Sequence, residues 1–375
     1  MRTVCLVVGV ILTTWTFWAM VRAMLVPHGT VNLVARTVQG FVWTIARIPL
    51  RALRTYPRQD RWLAGVAPVT VILQLTVYAV ILILTLGLVI YGLTDLDIGA
   101  ALYQSGSTFT TLGIVEPVNV ASAVTTFIAA FLGLLVIAIF VGYLMGTYSA
   151  YVSRESQMAR IALIAGEPAW APQILIRGRL LGLPEDDLPD AASWIDWTTS
   201  LRMNQLVNVA LGDFRSTSSW RHWTTTLLAV LDAAALRLAL APEAPHPRLV
   251  ELVAQAATSL RALSTNGRAG ARVPNWAIES EVLDAIANRF DNPGDPHLSR
   301  DEFETALTEL RAAGVPVPAD ADAVWRRFSA IRSTYAGHAI DLAARHHAVR
   351  SPWSGARRPP TPVVWPDRAG LERTP

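Results

Sequence analysis

Lysine is missing from this chain: all 32 basic residues are arginine. That excludes phosphate-binding loops built on a lysine and every lysine Schiff-base chemistry. Cysteine occurs once, at Cys5 inside an apolar run, so there is no disulfide framework and no cysteine-based metal site. Charge of either sign is scarce. Only 16% of the 375 residues are charged against 52% hydrophobic, where a soluble domain carries about a quarter of its residues as charges. The scarcity is local. Runs without any charge extend from Thr3 to Val21, Leu63 to Thr94, Ile98 to Val115 and Pro117 to Ser153, with lengths of 19, 32, 18 and 37 residues. Each reaches the ~18 residues that mark a membrane span.

The basic excess is a topology signal. Up to Ser153 there are 8 arginines and 4 acids; from Arg154 onward 24 arginines meet 25 acids. The excess lies beside the apolar runs and not on the large polar part, so no nucleic-acid partner is implied. Arg22, Arg36, Arg47, Arg51, Arg54, Arg58 and Arg61 face one acid, Asp60, between the first two runs. The positive-inside rule makes that connection cytoplasmic. Asp95, Asp97 and Glu116, with no basic residue among them, place the next connection outside, and Arg154 and Arg160 bring the chain back inside. The expectation is a multi-pass protein of the cell (inner) membrane, with an outside N-terminus, spans at about 4–26, 65–93 and 119–148, and a cytoplasmic C-terminal part of roughly 220 residues. A cleaved signal peptide is the rival reading of the first run. Trp15, Phe17, Trp18 and Met20 occupy the place where its small-residue cleavage site belongs.

In the cytoplasmic connection, Val31, Val34, Val38, Phe41, Val42, Ile45, Ile48 and Leu53 recur at helical spacing with arginines on the other side. Two readings fit: a helix lying on the inner membrane face, or one packed on its own protein.

The run from Ile98 to Val115 carries the chemistry. Gln104, Ser105, Ser107, Thr108, Thr110, Thr111 and three glycines are poor content for a lipid-facing span. A full crossing here would also put Arg154 on the wrong side. The segment should instead dip in from outside and return, which needs protein or water to cover its irregular backbone. Asp97 would cap a helix of about 13 residues, roughly 20 Å long, ending near Thr110. Its negative dipole end would favour a cation.

Ala101-Leu102-Tyr103-Gln104-Ser105-Gly106-Ser107-Thr108-Phe109-Thr110-Thr111-Leu112-Gly113 resembles the pore helix and filter entrance of potassium channels. The resemblance spans about residues 65 to 150. It implies a homotetramer in which Thr110, Thr111, Leu112, Gly113, Ile114 and Val115 form the ion filter, and Thr111 to Gly113 present carbonyls that replace the hydration shell of a monovalent cation, K+ by analogy. Glu116 would ring the outer vestibule; the competing reading is a helix cap or a solvated loop acid. Aligning Pro117 with the proline after the family's filter puts Gly133 at its inner-helix hinge; Gly142 is a second candidate, although glycine in membrane helices also serves packing. The chain departs from the pattern at Ile114, Val115 and Glu116, where the family has an aromatic, a glycine and an aspartate. A β-branched residue at positive φ is an outlier, so the outer filter should be wider or differently folded and the selectivity relaxed.

From Arg154 the pattern is of helices broken at Gly166-Glu167-Pro168, Leu183-Pro184, Ala241-Pro242, Asn266-Gly267, Asn292-Pro293-Gly294 and Val315-Pro316. Trp220 to Ala241 is an apolar-rich helix with a core face. There is no metalloprotease motif, nucleophile elbow or dinucleotide fingerprint, so no enzyme activity is expected. Asp291 to Glu302 loosely matches a calcium loop, but Pro293 and Pro296 stand at a ligand and the required glycine; a capping box of Ser299 and Glu302 accounts for it better. His338, His346 and His347 lack metal-site spacing. Trp194 with Trp197 and Trp220 with Trp223 read as core anchors. Helical extensions of this kind follow the pore in uncharacterised bacterial channel-like membrane proteins, and the all-arginine basic set fits a GC-rich bacterial genome.

The expected fold is an all-α membrane protein: a pore-loop channel module of outer helix, re-entrant pore helix with filter and inner helix, plus an N-terminal transmembrane helix and a helical cytoplasmic domain. The expected division is 1–27 for the N-terminal span, 28–62 for a basic amphipathic linker, 63–153 for the pore module with its loop at 97–117, 154–349 for the cytoplasmic domain and 350–375 for a disordered tail. The expected function is a cation channel in the lipid bilayer without cofactor or metal, its cytoplasmic domain open to an unknown ligand. The alternative is a non-conducting membrane receptor or scaffold that keeps the fold.

Overall fold

The computed structural model describes residues 1–25, 33–50, 52–53, 55–184, 188–265, 275–287 and 297–355. Its helices are α1 Arg2–Leu25, α2 Leu33–Leu50, α3 Tyr56–Leu63, α4 Val66–Leu93, α5 Ile98–Phe109, α6 Val120–Ala165, α7 Ala171–Leu180, α8 Ala191–Val207, α9 Trp223–Leu240, α10 Pro247–Thr265, α11 Asn275–Ile286, α12 Arg300–Ala312, α13 Ala321–Ser333 and α14 Ala336–Arg345. The described residues contain no strand. Four stretches are long and apolar enough to cross a membrane: Arg2–Leu25, Tyr56–Leu93, Val120–Ala165 and Trp223–Leu240. This is the make-up of an all-α membrane protein.

The chain forms two compact units. One holds residues 1–48, 65–150 and 207–211; the other holds 49–64, 151–206 and 212–375. In the first, α1 lies along α4, with the Thr13 hydroxyl donating to that of Thr85 at 2.9 Å. That bond satisfies two buried polar groups that hydrocarbon would leave unpaired. At the end of this pair Arg2 reaches the Thr94 carbonyl and the Asp95 carboxylate. Helix α5 packs against α4, its Ser105 hydroxyl donating to the Ile83 carbonyl at 2.8 Å. Met20, Tyr78, Leu82, Phe109, Ala129 and Val136 form the core where α1, α4, α5 and α6 meet. Tyr143 on α6 donates to Asn208 Oδ1 at 2.7 Å, which explains why 207–211 belongs with this unit.

The second unit is built around α9. Every residue from Trp223 to Leu240 except Arg237 is buried. Its apolar surface is spent inside protein, so a helix of span-like composition is here a core helix, as its sequence position among polar segments predicts. Asp232 on α9 is fully buried and accepts from Arg332 Nε at 2.9 Å and from the Tyr335 hydroxyl at 2.8 Å. Burial pushes the Asp232 carboxyl upward against the pull of Arg332.

Two boundaries differ from the sequence expectation. The expected linker, 28–62, is divided between the units: Asp60 of α3 pairs with Arg215 at 3.2 Å and the Tyr56 hydroxyl donates to the His347 carbonyl at 3.0 Å, fixing α3 to the second unit. The sequence predicts disorder from Arg350 onward, but residues 351–354 are buried. Trp353 is buried against Trp170 and Phe328, its carbonyl accepts from Arg332, and the Ser354 hydroxyl donates to the Ser351 carbonyl. The arginine and proline content that marks the tail does not register this one aromatic anchor. Residues 356–375, the breaks at 266–267 and 292–294, and positions 291–296 of the calcium-like stretch lie outside the described residues.

Candidate functional site

Asp97 caps α5 as its spacing predicts: its side chain accepts from the Ala100 amide at 2.6 Å. The helix is 12 residues long, about 18 Å at 1.5 Å per residue. That is short of the ~30 Å hydrocarbon core, so α5 is too short to cross it alone. Thr110 is its C-cap, and the Thr110 hydroxyl donates back to the Gly106 carbonyl at 2.7 Å.

Beyond the cap the chain turns on two residues in the left-handed region, Thr111 at φ 61° and Gly113 at φ 65°. For Gly113 this is ordinary; for the β-branched Thr111 it is strain of about 1–3 kcal/mol that the surroundings must hold. Five consecutive amides point back into the helix end. Thr110 N–H donates to Gly106 at 3.0 Å, Thr111 to Thr108 at 2.9 Å, and Leu112 and Gly113 to the Ser107 carbonyl at 2.8 and 3.2 Å. Ile114 N–H donates to the Ser107 hydroxyl at 3.0 Å. None of the carbonyls from Thr110 to Gly113 accepts a hydrogen bond from another described residue. A row of four carbonyls that accept from no described residue thus follows the negative end of a helix dipole, an arrangement that attracts a cation and repels an anion.

The residues singled out in the sequence fall as follows. Thr110 to Val115 form one continuous turn and loop, with Leu112 and Ile114 exposed at 65% and 60%. Val115 is not at positive φ, so it does not continue the alternation that Thr111 and Gly113 set up. Glu116 is exposed. Gly133 sits against the end of α5: a Cβ there would lie 2.1 Å from the Phe109 carbonyl oxygen. Close backbone approach therefore explains that glycine, and α6 runs unbroken through it. A Cβ at Gly142 would meet nothing within 4 Å, and this glycine lies on the exposed side of α6.

Three residues outside the filter positions Thr110 to Val115 join the site. Ser107 supplies the carbonyl that accepts from Leu112 and Gly113 and the hydroxyl that accepts from Ile114; Gln104 donates to the Thr126 hydroxyl at 3.2 Å, tying α5 to α6; Asn119 donates to the Leu93 carbonyl at 3.0 Å, tying the end of the loop to α4. Short polar side chains at a helix end are able to bond locally in this way, but residue type alone does not mark which of them do.

No comparable cluster is formed by the histidines. His338 meets the Ser264 hydroxyl at 2.9 Å and His346 meets Asp213 at 3.0 Å, while His347 lies past the end of α14. Burial and the nearby Arg261 lower the affinity of His338 for a proton. Among the described residues no three histidine, cysteine or acidic side chains converge on one point. Comparison with protein-family models, with curated proteins and with solved structures finds no match for this chain.

Proposed function

We propose that the chain is one of four identical subunits of a pore-loop cation channel of the potassium-channel type, with its N-terminus outside the cell membrane and its second unit in the cytoplasm as a regulatory or assembly domain. The observation that carries this reading is the loop after α5. Its amides are consumed by Ser107 and its neighbours, and none of the carbonyls from Thr110 to Gly113 accepts a hydrogen bond from another described residue. Unpaired carbonyls at membrane depth are too costly to persist unless water, an ion or another subunit meets them. Four copies around an axis would bring the carbonyls of Thr111, Leu112 and Gly113 together as rings of oxygen able to replace an ion's hydration shell. Glu116 would add four carboxylates at the mouth and concentrate cations there. The chain's own residues supply every ligand in this scheme, with K+ as the permeant ion and relaxed selectivity because Val115 departs from the alternation. No catalytic role is assigned to the chain.

A second reading, a non-conducting receptor or scaffold, draws support from the same departure at Ile114 and Val115. Flux from liposomes under a K+ gradient separates the two. Wild type should pass K+, with a measurable Na+ leak, and Gly113→Ala should abolish the flux while leaving the tetramer intact. An added Cβ at Gly113 meets no atom within 4 Å, so the substitution acts through backbone strain at positive φ, roughly 1–2 kcal/mol per subunit. A folded tetramer that stays silent across voltage and pH would favour the scaffold.

A further inference from the structure

Helix α2 resolves the choice its sequence leaves open by having two apolar faces. Val38, Val42 and Ala46 are buried, and Val34 packs on the core around Met20 and Tyr78. At 3.6 residues per turn, Leu33, Phe41 and Ile48 point to a different side, where they are exposed at 71%, 57% and 71%, with Ile45 at its edge. Thr37 and Thr44 lie on that side too; the Thr44 hydroxyl is turned back to the Gly40 carbonyl at 2.7 Å, and Thr37 is left as the exposed polar residue of the strip. Between the two faces run Arg36 and Arg47, both exposed, and the Arg47 guanidinium stacks on the Trp43 ring at 5.6 Å. An indole and arginines at the rim of an apolar strip are the components that settle at a headgroup boundary.

We infer that α2 lies in the headgroup layer of the cytoplasmic leaflet, with Leu33, Phe41, Ile45 and Ile48 among the acyl chains and Arg36 and Arg47 on anionic phospholipid headgroups. Three observations single out lipid as the occupant. The helix follows the span-like α1 and precedes the span-like Tyr56–Leu93, which hold it at the membrane surface. The stretch from Arg22 to Arg61 carries seven arginines and one acid, complementary to an anionic leaflet. The exposed strip is bordered by charge on one side only, by protein-buried residues on the other, as a helix wedged between protein and lipid requires. None of this depends on whether the protein conducts ions.

The test uses the full chain with Cys5→Ser and single cysteines at Phe41→Cys, Thr44→Cys or Ile48→Cys, labelled with an environment-sensitive fluorophore and reconstituted in vesicles of phosphatidylcholine with or without phosphatidylglycerol. Lipid brominated on the acyl chains should quench the label at all three positions, more strongly when phosphatidylglycerol is present. Neutralising both arginines, R36Q with R47Q, should remove most of that gain, each arginine being worth roughly a fivefold shift in partitioning. Labels that remain water-exposed and unquenched overturn the proposal. So does disulfide formation between copies at Ile48→Cys with no quenching by lipid, which would make the strip a subunit contact. Quenching that ignores phosphatidylglycerol in wild type overturns the role given to the arginines.

Discussion

Ser107 holds more of the candidate filter's backbone in place than any of the six positions, Thr110 to Val115, that the family likeness assigns to it. Its carbonyl takes two amides and its hydroxyl a third, so the loop's shape hangs on one small side chain in the last turn of α5. Ser107→Ala removes only the hydroxyl and strands the Ile114 amide, a loss of about 1–3 kcal/mol where water cannot substitute. The expected result is a tetramer of normal assembly with a lowered K+ to Na+ permeability ratio, read from bi-ionic flux in liposomes. Unchanged selectivity with intact flux would show that the loop does not set ion preference. The importance of Ser107 is not legible in the sequence, because a serine in a Ser/Thr-rich helix end looks the same whether it bonds locally or faces solvent. The bond to Ile114 exists only because Thr111 and Gly113 both turn to positive φ. Propensity argues against that turn at a threonine.

At the level of elements, what the sequence makes readable is what depends on near neighbours. The Asp97 cap and the length of α5, the break after Ala165, and the Ser299–Glu302 capping box all arise within a few residues of the chain and appear where the spacing puts them. The clasp of α3 by Arg215 and the burial of Trp353 join residues more than 150 positions apart in the first case and bring Trp170 to the chain's far end in the second, and no local pattern announces either. Gly133 shows the same limit. Alignment alone makes it a hinge; contact makes it the place where α6 meets the end of α5. Gly133→Ala must drive two backbones apart and should cost about 1–3 kcal/mol by overpacking, seen as earlier thermal unfolding of the detergent-solubilised tetramer. Gly142→Ala meets no neighbour and should leave the melting point unchanged or slightly raised, since glycine within a helix costs roughly 0.5–1 kcal/mol relative to alanine. A change of flux in the second variant without a change of stability would mark Gly142, and not Gly133, as the point where α6 bends.

For the whole molecule, α9 decides the topology. Four stretches have the length and composition to cross a membrane, and an even number of crossings would return the end of the chain to the side on which it began. The burial of α9 by its own unit argues for its staying out of the bilayer, because a helix whose apolar surface is already covered gains nothing from lipid. On the proposed topology three crossings then remain, with the direction expected from the positive-inside charge bias. In a Cys5→Ser background, a cysteine replacing the exposed Glu116 should react with an impermeant maleimide added outside intact cells. Cysteines replacing Arg160, before α9, and Glu243, after it, should both stay unlabelled until the membrane is opened. Labelling at 243 but not at 160 would mean that α9 crosses the bilayer and that its protein neighbours do not form the core described here. Labelling of 160 and 243 from outside, with 116 protected, would invert the whole molecule and put the arginine-rich segment around α2 on the outer leaflet. The three positions therefore test the count of crossings and their direction separately, since α9 affects only the site beyond it and inversion affects all three.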